Sequence, residues 1–165
     1  MVPVAAAVSA AGVSAEEAAA DSVAGEPAVA GKPMLLRHRD RRAIDAAVAG
    51  AETRTGLQFC VYLGPAAADT RAHAEALFVE AGLHEQPAVL VHVSPDHRKV
   101  EIVTAAAVRE RVPDEACKRA IDEMTKHFGQ GRFLEGLIVG IEHLAETAGP
   151  GTPPTGSTDL PNVVE

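Results

Sequence analysis

The sequence predicts an α/β fold: a small mixed β-sheet, built from a βαβ unit plus a hairpin and sandwiched by helices. Three observations predict it. Apolar residues recur at helical spacing in four segments, three β-branched runs alternate between them at strand spacing, and Gly or Pro signals separate the two kinds. At 165 residues the chain is long enough for one domain with a real core and too short for two ordinary ones.

Ile44, Ala47, Val48 and Ala51 mark the first helix, and Thr55-Gly56 supplies its stop. "RHRDRR", Arg37 to Arg42, reads as the solvated start of that helix rather than a phosphate-binding patch, because it holds an acid and lacks interleaved aromatics. "LQFCVYL" follows as a strand, with Leu57, Phe59, Val61 and Leu63 on one face. Gln58, Cys60 and Tyr62 lie on the other, whose composition predicts partial cover as well. Gly64-Pro65 breaks the strand. Asp69 or Thr70 caps the next helix, which carries the stripe Ala74, Leu77, Phe78, Ala81 and ends at Gly82. The strand Ala88 to Val93 then completes a right-handed crossover and is expected to run parallel to the first.

"AVLVHV" and "KVEIVT" flank "SPDHR", a Ser-Pro-Asp turn signal, and form an antiparallel hairpin. His92 is read as facing away from Leu90. Val100 and Ile102 share a face opposite Glu101 and Val103. His92 and Glu101 come near each other, either as a metal or acid–base pair or, more plainly, as polar neighbours on a solvent-facing or edge strand; His97 sits at the exposed tip. Two helices close the body. Pro113-Asp114 starts the first, with Cys117, Ala120, Ile121, Met124 and Phe128 on one face, and "GQGR" breaks it. The second has Phe133, Leu134, Leu137, Ile138, Ile141, Leu144 and Ala145. Its glycines Gly136 and Gly140, four apart, predict close packing on the sheet, since the apolar run is too short to be a membrane dimerisation face.

The domain is therefore expected over residues 37–148, between a disordered Ala/Val/Gly-rich segment, 1–36, and a disordered Pro/Gly/Thr tail, 149–165. Hydrophobic residues make up 47% of the chain but aromatics only 3%, with no Trp, so small and branched aliphatics must build the core. A net charge of −8 argues against a nucleic-acid partner or an anionic membrane footprint. The N-terminal Ala/Val run lacks the basic start of a signal peptide, and no stretch reaches the ~20 apolar residues of a membrane span. A cytoplasmic protein without a transmembrane segment is expected, with peripheral membrane association left open. Cys60 and Cys117 have no metal-type spacing and read by default as reduced, half-buried thiols, with a single bridge left open because it depends on their Cα separation.

"GEPAVAGKP", Gly25 to Pro33, imitates a P-loop, but five residues separate the glycines and proline follows Lys32, so no phosphate cradle forms. No Gly-x-Ser-x-Gly elbow, His-Glu-x-x-His motif or EF-hand loop occurs. Acids at Asp45, Glu52, Glu75, Glu80, Asp122 and Glu123 are scattered over helices, mostly on solvated faces.

The words "IDAAVAGAETRTGLQFCVYLG", "AHAEALF", "AVLVHVSPDHRKVEIVT", "RERVPDEAC" and "FGQGRFLEGLIVGIEHLAETAG", in that order, resemble the TPM domain. The likeness is strongest to its uncharacterised actinobacterial branch, a family of unknown function, and covers about Ile44 to Gly149. The resemblance implies an α/β sandwich. It also implies a choice of roles, because TPM domains include acid phosphatases, calcium binders and auxiliary proteins of membrane complexes. Many members carry an Asp-Asn-Gly entry to the second strand and a glycine-rich exit from the third. This chain reads "HEQPAV" and "TAAAV" there, which removes the close backbone approach that glycine permits. The candidate ligand face implied by that topology is Glu52, Glu85, Thr104 and Asp114. Two functions follow as expectations: a non-catalytic accessory module acting through an unidentified protein partner without a cofactor, or a phosphomonoesterase using Ca²⁺ or Mg²⁺ held by those residues.

Overall fold

The computed structural model describes residues 36–65 and 67–152, together with the backbone of 163–164. The N-terminal segment, including the P-loop-like Gly25 to Pro33, lies outside the described residues apart from Leu36, as does most of the tail.

Helix α1, His38–Thr55, turns Ile44, Val48, Ala51 and Thr55 inward, and Gly56 ends it in the left-handed conformation (φ 68°). Glycine is needed there twice over, because the Thr152 carbonyl also occupies the space that a Cβ would need. Strand β1, Gln58–Leu63, leads through Gly64 to α2, Thr70–Glu80, whose cap is the Asp69 carboxylate accepting the Ala72 N–H at 2.9 Å. Strands β2, Ala88–Ser94, and β3, Lys99–Thr104, form the hairpin, and Arg98 takes positive φ in its turn. Helices α3, Asp114–Gly129, and α4, Phe133–Ala148, complete the body.

The sheet order is β3-β2-β1-β4. β1 and β2 are parallel with Tyr62 opposite His92, and β2 and β3 are antiparallel with His92 opposite Glu101. Every residue of β2 is buried, so both sheet faces are covered. The short β4, Val163–Val164, pairs in parallel with Val61 and Tyr62 of β1, beyond residue 148 where the sequence reading closed the domain. No helix among the described residues is long and apolar enough to cross a membrane.

Two expectations are corrected. Residues two apart on a strand share a face, so His92 points the same way as Leu90, toward α2, and not away from it. The glycines of α4 meet a helix rather than the sheet. A Cβ on Gly136 would fall 2.7 Å from the Phe128 ring, and one on Gly140 would fall 2.5 Å from Met124 Cγ. The α3–α4 contact therefore closes to a distance that only glycine allows. Gly140→Ala is expected to destabilise by about 1 kcal/mol, overpacking outweighing the gain in helix propensity. In a Met124→Ala background the same change should become stabilising; urea denaturation of the four proteins in the cycle measures the reversal.

Candidate functional site

The strand register brings Tyr62, His92 and Glu101 side by side on one face, near the carboxyl ends of the parallel pair. Open α/β sheets place ligand sites at such ends. The first turns of α2 lie over these residues and add Arg71, His73 and Glu75. Ring centroids separate Tyr62 from His92 by 5.2 Å, His73 from His92 by 5.4 Å and Tyr62 from His73 by 6.3 Å. Arg71 Nε meets Glu75 Oε1 at 2.6 Å, one helical turn along. Its Nη1 donates to the Ile102 carbonyl at 3.0 Å and lies 3.9 Å from Glu101 Oε2.

His92 is 0% exposed and Glu101 2% exposed. Burial pushes the His92 pKa down to about 4, and the charge on His73 adds to the effect, while backbone groups of Gly64 and Pro65 pull it partly back. Those backbone groups are near, yet neither ring nitrogen has a hydrogen-bond partner among the described residues. Burial raises the Glu101 carboxyl, against the opposing charges of Arg71 and Lys99, and Asp69 and Glu75 raise it further. Glu101 Oε2 and Thr70 Oγ1 also lack hydrogen-bond partners among the described residues. A buried imidazole with a lowered pKa beside a buried carboxyl with a raised one is an acid–base pair in chemical type. Here it is enclosed between sheet and helix. The expectation of a solvent-facing pair is corrected: β3 is the edge strand, but α2 covers this part of it.

Of the four residues expected to form a ligand face, Glu52 and Glu85 have side chains engaged separately from each other. Glu52 Oε1 accepts the Phe59 N–H at 3.0 Å, and burial raises its pKa while that bond lowers it. Glu85 is exposed, 3.8 Å from His84. Thr104 is half-buried opposite Val89, and Asp114 is exposed in the first turn of α3. No group of three or more His, Cys, Asp or Glu among the described residues could hold a metal ion. The residues present therefore do not fit the calcium site that the resemblance suggested.

Cys60 and Cys117 are buried rather than half-buried, neither is in a disulfide, and burial pushes both thiols up to about 11. Such thiols are inert. A shallow surface groove runs between the starts of α1 and α4, floored by Leu36, Phe133 and Leu134 and rimmed by Arg37, Asp40, Arg132 and Glu135.

Residues 3–145 match the model of a family described as a domain of unknown function (DUF5130). The chain belongs to this family. Among its relatives is the uncharacterized protein Rv2468c of Mycobacterium tuberculosis strain H37Rv, 30% identical over 112 residues, or 68% of this chain. The uncharacterized protein MT2543 of strain CDC 1551 matches equally, and in both the match spans 66% of the relative's own length, just under two thirds. The DUF5130 fold is similar to the NMR structure of the BA42 protein of Bizionia argentinensis, with a TM-score of 0.69 and 22% identity over 79% of this chain and 94% of that one. It is also similar to the N-terminal domain of a P. gingivalis protein, with a TM-score of 0.62 and 21% identity over 70% of this chain and 78% of that one. At these identities the likeness is one of fold alone.

Sequence reasoning found His92 and Glu101 and missed Arg71, His73 and Tyr62 as their neighbours. Tyr62 was within reach, because the parallel register follows from the crossover. Arg71 and His73 depend on how α2 is rotated over the sheet, which its weak apolar stripe does not fix.

Proposed function

We propose that this DUF5130 chain is a TPM-like accessory domain of an actinobacterial cell that acts through a protein partner and not by catalysis. The observation that supports this reading is the enclosure of its best acid–base pair: His92 and Glu101 are 0% and 2% exposed beneath α2, out of reach of a substrate. Glu52, one of the expected ligand residues, uses its carboxylate to cap a strand N–H. The net charge of −8 speaks against nucleic acid as the partner, and we place the domain's action in the cytoplasm.

The competing reading is a Ca²⁺- or Mg²⁺-assisted acid phosphatase. The full chain is expected to hydrolyse p-nitrophenyl phosphate no faster than buffer between pH 4 and 8, with or without either ion. Turnover that Glu52→Gln abolishes would overturn the accessory reading.

A further inference from the structure

The outward sides of β3 and β1, the strands that flank β2, are treated differently. On β3 the outward carbonyl of Ile102 is taken by Arg71, which reaches over from α2. On β1 the ladder to β2 uses Gln58, whose N–H donates to the Pro87 carbonyl, and Gly64, whose N–H donates to the Val93 carbonyl. Ladder bonds in a parallel pair involve alternate residues, so the N–H groups of Phe59, Val61 and Leu63 point to the opposite edge. The first of these is capped by the Glu52 carboxylate. Val61 and Leu63 remain, and it is at Val61 and Tyr62 that Val163 and Val164 pair.

We infer that this window on β1 is a strand-acceptor site, that Val163–Val164 is its resident occupant, and that a protein partner binds by donating an extended β-branched segment in the same parallel register. The inference names the contact surface for the partner-binding reading and rests on it. Unpaired edge groups are a template for another chain, and backbone pairing with a short β-branched segment is an established mode of peptide recognition. Glu52 limits the template on one side, because a carboxylate on the Phe59 N–H leaves no donor there for a longer strand.

The resident strand is held as a tethered ligand would be. The Arg111 guanidinium and the Gly151 N–H, which donates to the Arg54 carbonyl at 3.0 Å, fix the chain through residue 151 beside the end of α1. From Gly56, against which Thr152 packs, to Val61 is about 17 Å along β1. Residues 153–162 could span about 33 Å if extended. Chain length alone therefore permits the pairing, and covalent attachment raises the effective concentration of a segment that pairs through two described residues. A partner segment that pairs over Val61 to Leu63 competes with a short strand, not with the core.

The test uses the full chain labelled with ¹⁵N, a Val163→Asp/Val164→Asp double variant, and a synthetic peptide of residues 157–165 as probe. Without peptide, amide exchange at Val61 and Leu63 is expected to rise about tenfold or more in the variant. Tyr62, whose N–H faces β2, should stay protected. With peptide, the variant should show shifts at Val61 and Leu63 and bind about tenfold or more tighter than wild type, because the cis strand no longer competes. Equal exchange in the two proteins, equal affinity, or shifts elsewhere would each overturn the inference. Phosphatase turnover would sink the accessory reading without altering this exchange pattern, so the two failures are distinguishable.

Discussion

Replacing Arg111 with alanine is expected to lower stability by about 4 kcal/mol, seen as a fall in Tm of roughly 15–20 °C for a domain of this size. The guanidinium gathers the ends of two helices that are far apart in sequence. Its Nε donates to the Ala148 carbonyl at 3.1 Å, and its Nη2 donates to Thr55 at 2.8 Å and Gly149 at 2.9 Å. All three carbonyls belong to the last turn or cap of α1 or α4, where orphan acceptors and the negative end of the helix dipole favour a cation. Each charge-assisted bond contributes about 1.5–3 kcal/mol, and the three are not additive. Removal leaves the partly buried acceptors without a donor. Lysine should recover less than half of the loss, because a point charge cannot replace a planar fork serving three oxygens. Thermal melts of the wild type, Arg111→Ala and Arg111→Lys decide the matter: a loss below about 1 kcal/mol in the alanine variant would mean that water serves those carbonyls equally well.

Arg111 also shows where sequence reasoning stops. The element order was legible because its punctuation is local: Gly56 in the left-handed region, the Asp69 cap, Gly82 and the "SPDHR" turn each act within a few residues. The adjacency of His92 and Glu101 was legible for the same reason, since hairpin pairing follows from counting outward from the turn. Their burial was not, because it depends on which way α2 lies over the sheet, and the stripe Ala74, Leu77, Phe78 leaves that rotation loosely set. The partner of Gly136 and Gly140 was missed on similar grounds: a small-residue pair signals close approach but not to what. Arg111 follows a short turn and carries no periodic signal, and its three acceptors lie 37 to 56 residues away. A two-residue strand in a Pro/Gly/Thr tail is too short for alternation to register at all.

His92 should make the fold acid-sensitive in a specific window. Its pKa lies at about 4 in the folded chain against 6.5 when solvated, so the unfolded chain takes up the proton first as pH falls. Stability rises with pH wherever the unfolded state binds more protons. The contribution of the neutral, buried imidazole is therefore fully present above pH 6.5 and is lost as pH falls toward 4, a change of about 3 kcal/mol. Glu101 works in the opposite sense. Its raised pKa gives stability below the ordinary carboxylate value of 4.5 that disappears as pH rises through the folded value, so it flattens part of the same limb. A His92→Leu variant separates the two. Neither ring nitrogen makes a well-formed hydrogen bond among the described residues, so near pH 7 the variant should be at least as stable as wild type. Between pH 7 and pH 4 the difference in its favour should grow by about 3 kcal/mol. Other carboxylates titrate alike in both chains and cancel in the difference between their urea curves. Curves that stay parallel from pH 7 to 4 would mean that the imidazole is protonated inside the fold, with the Glu101 carboxylate across the strand pair as its counter-charge.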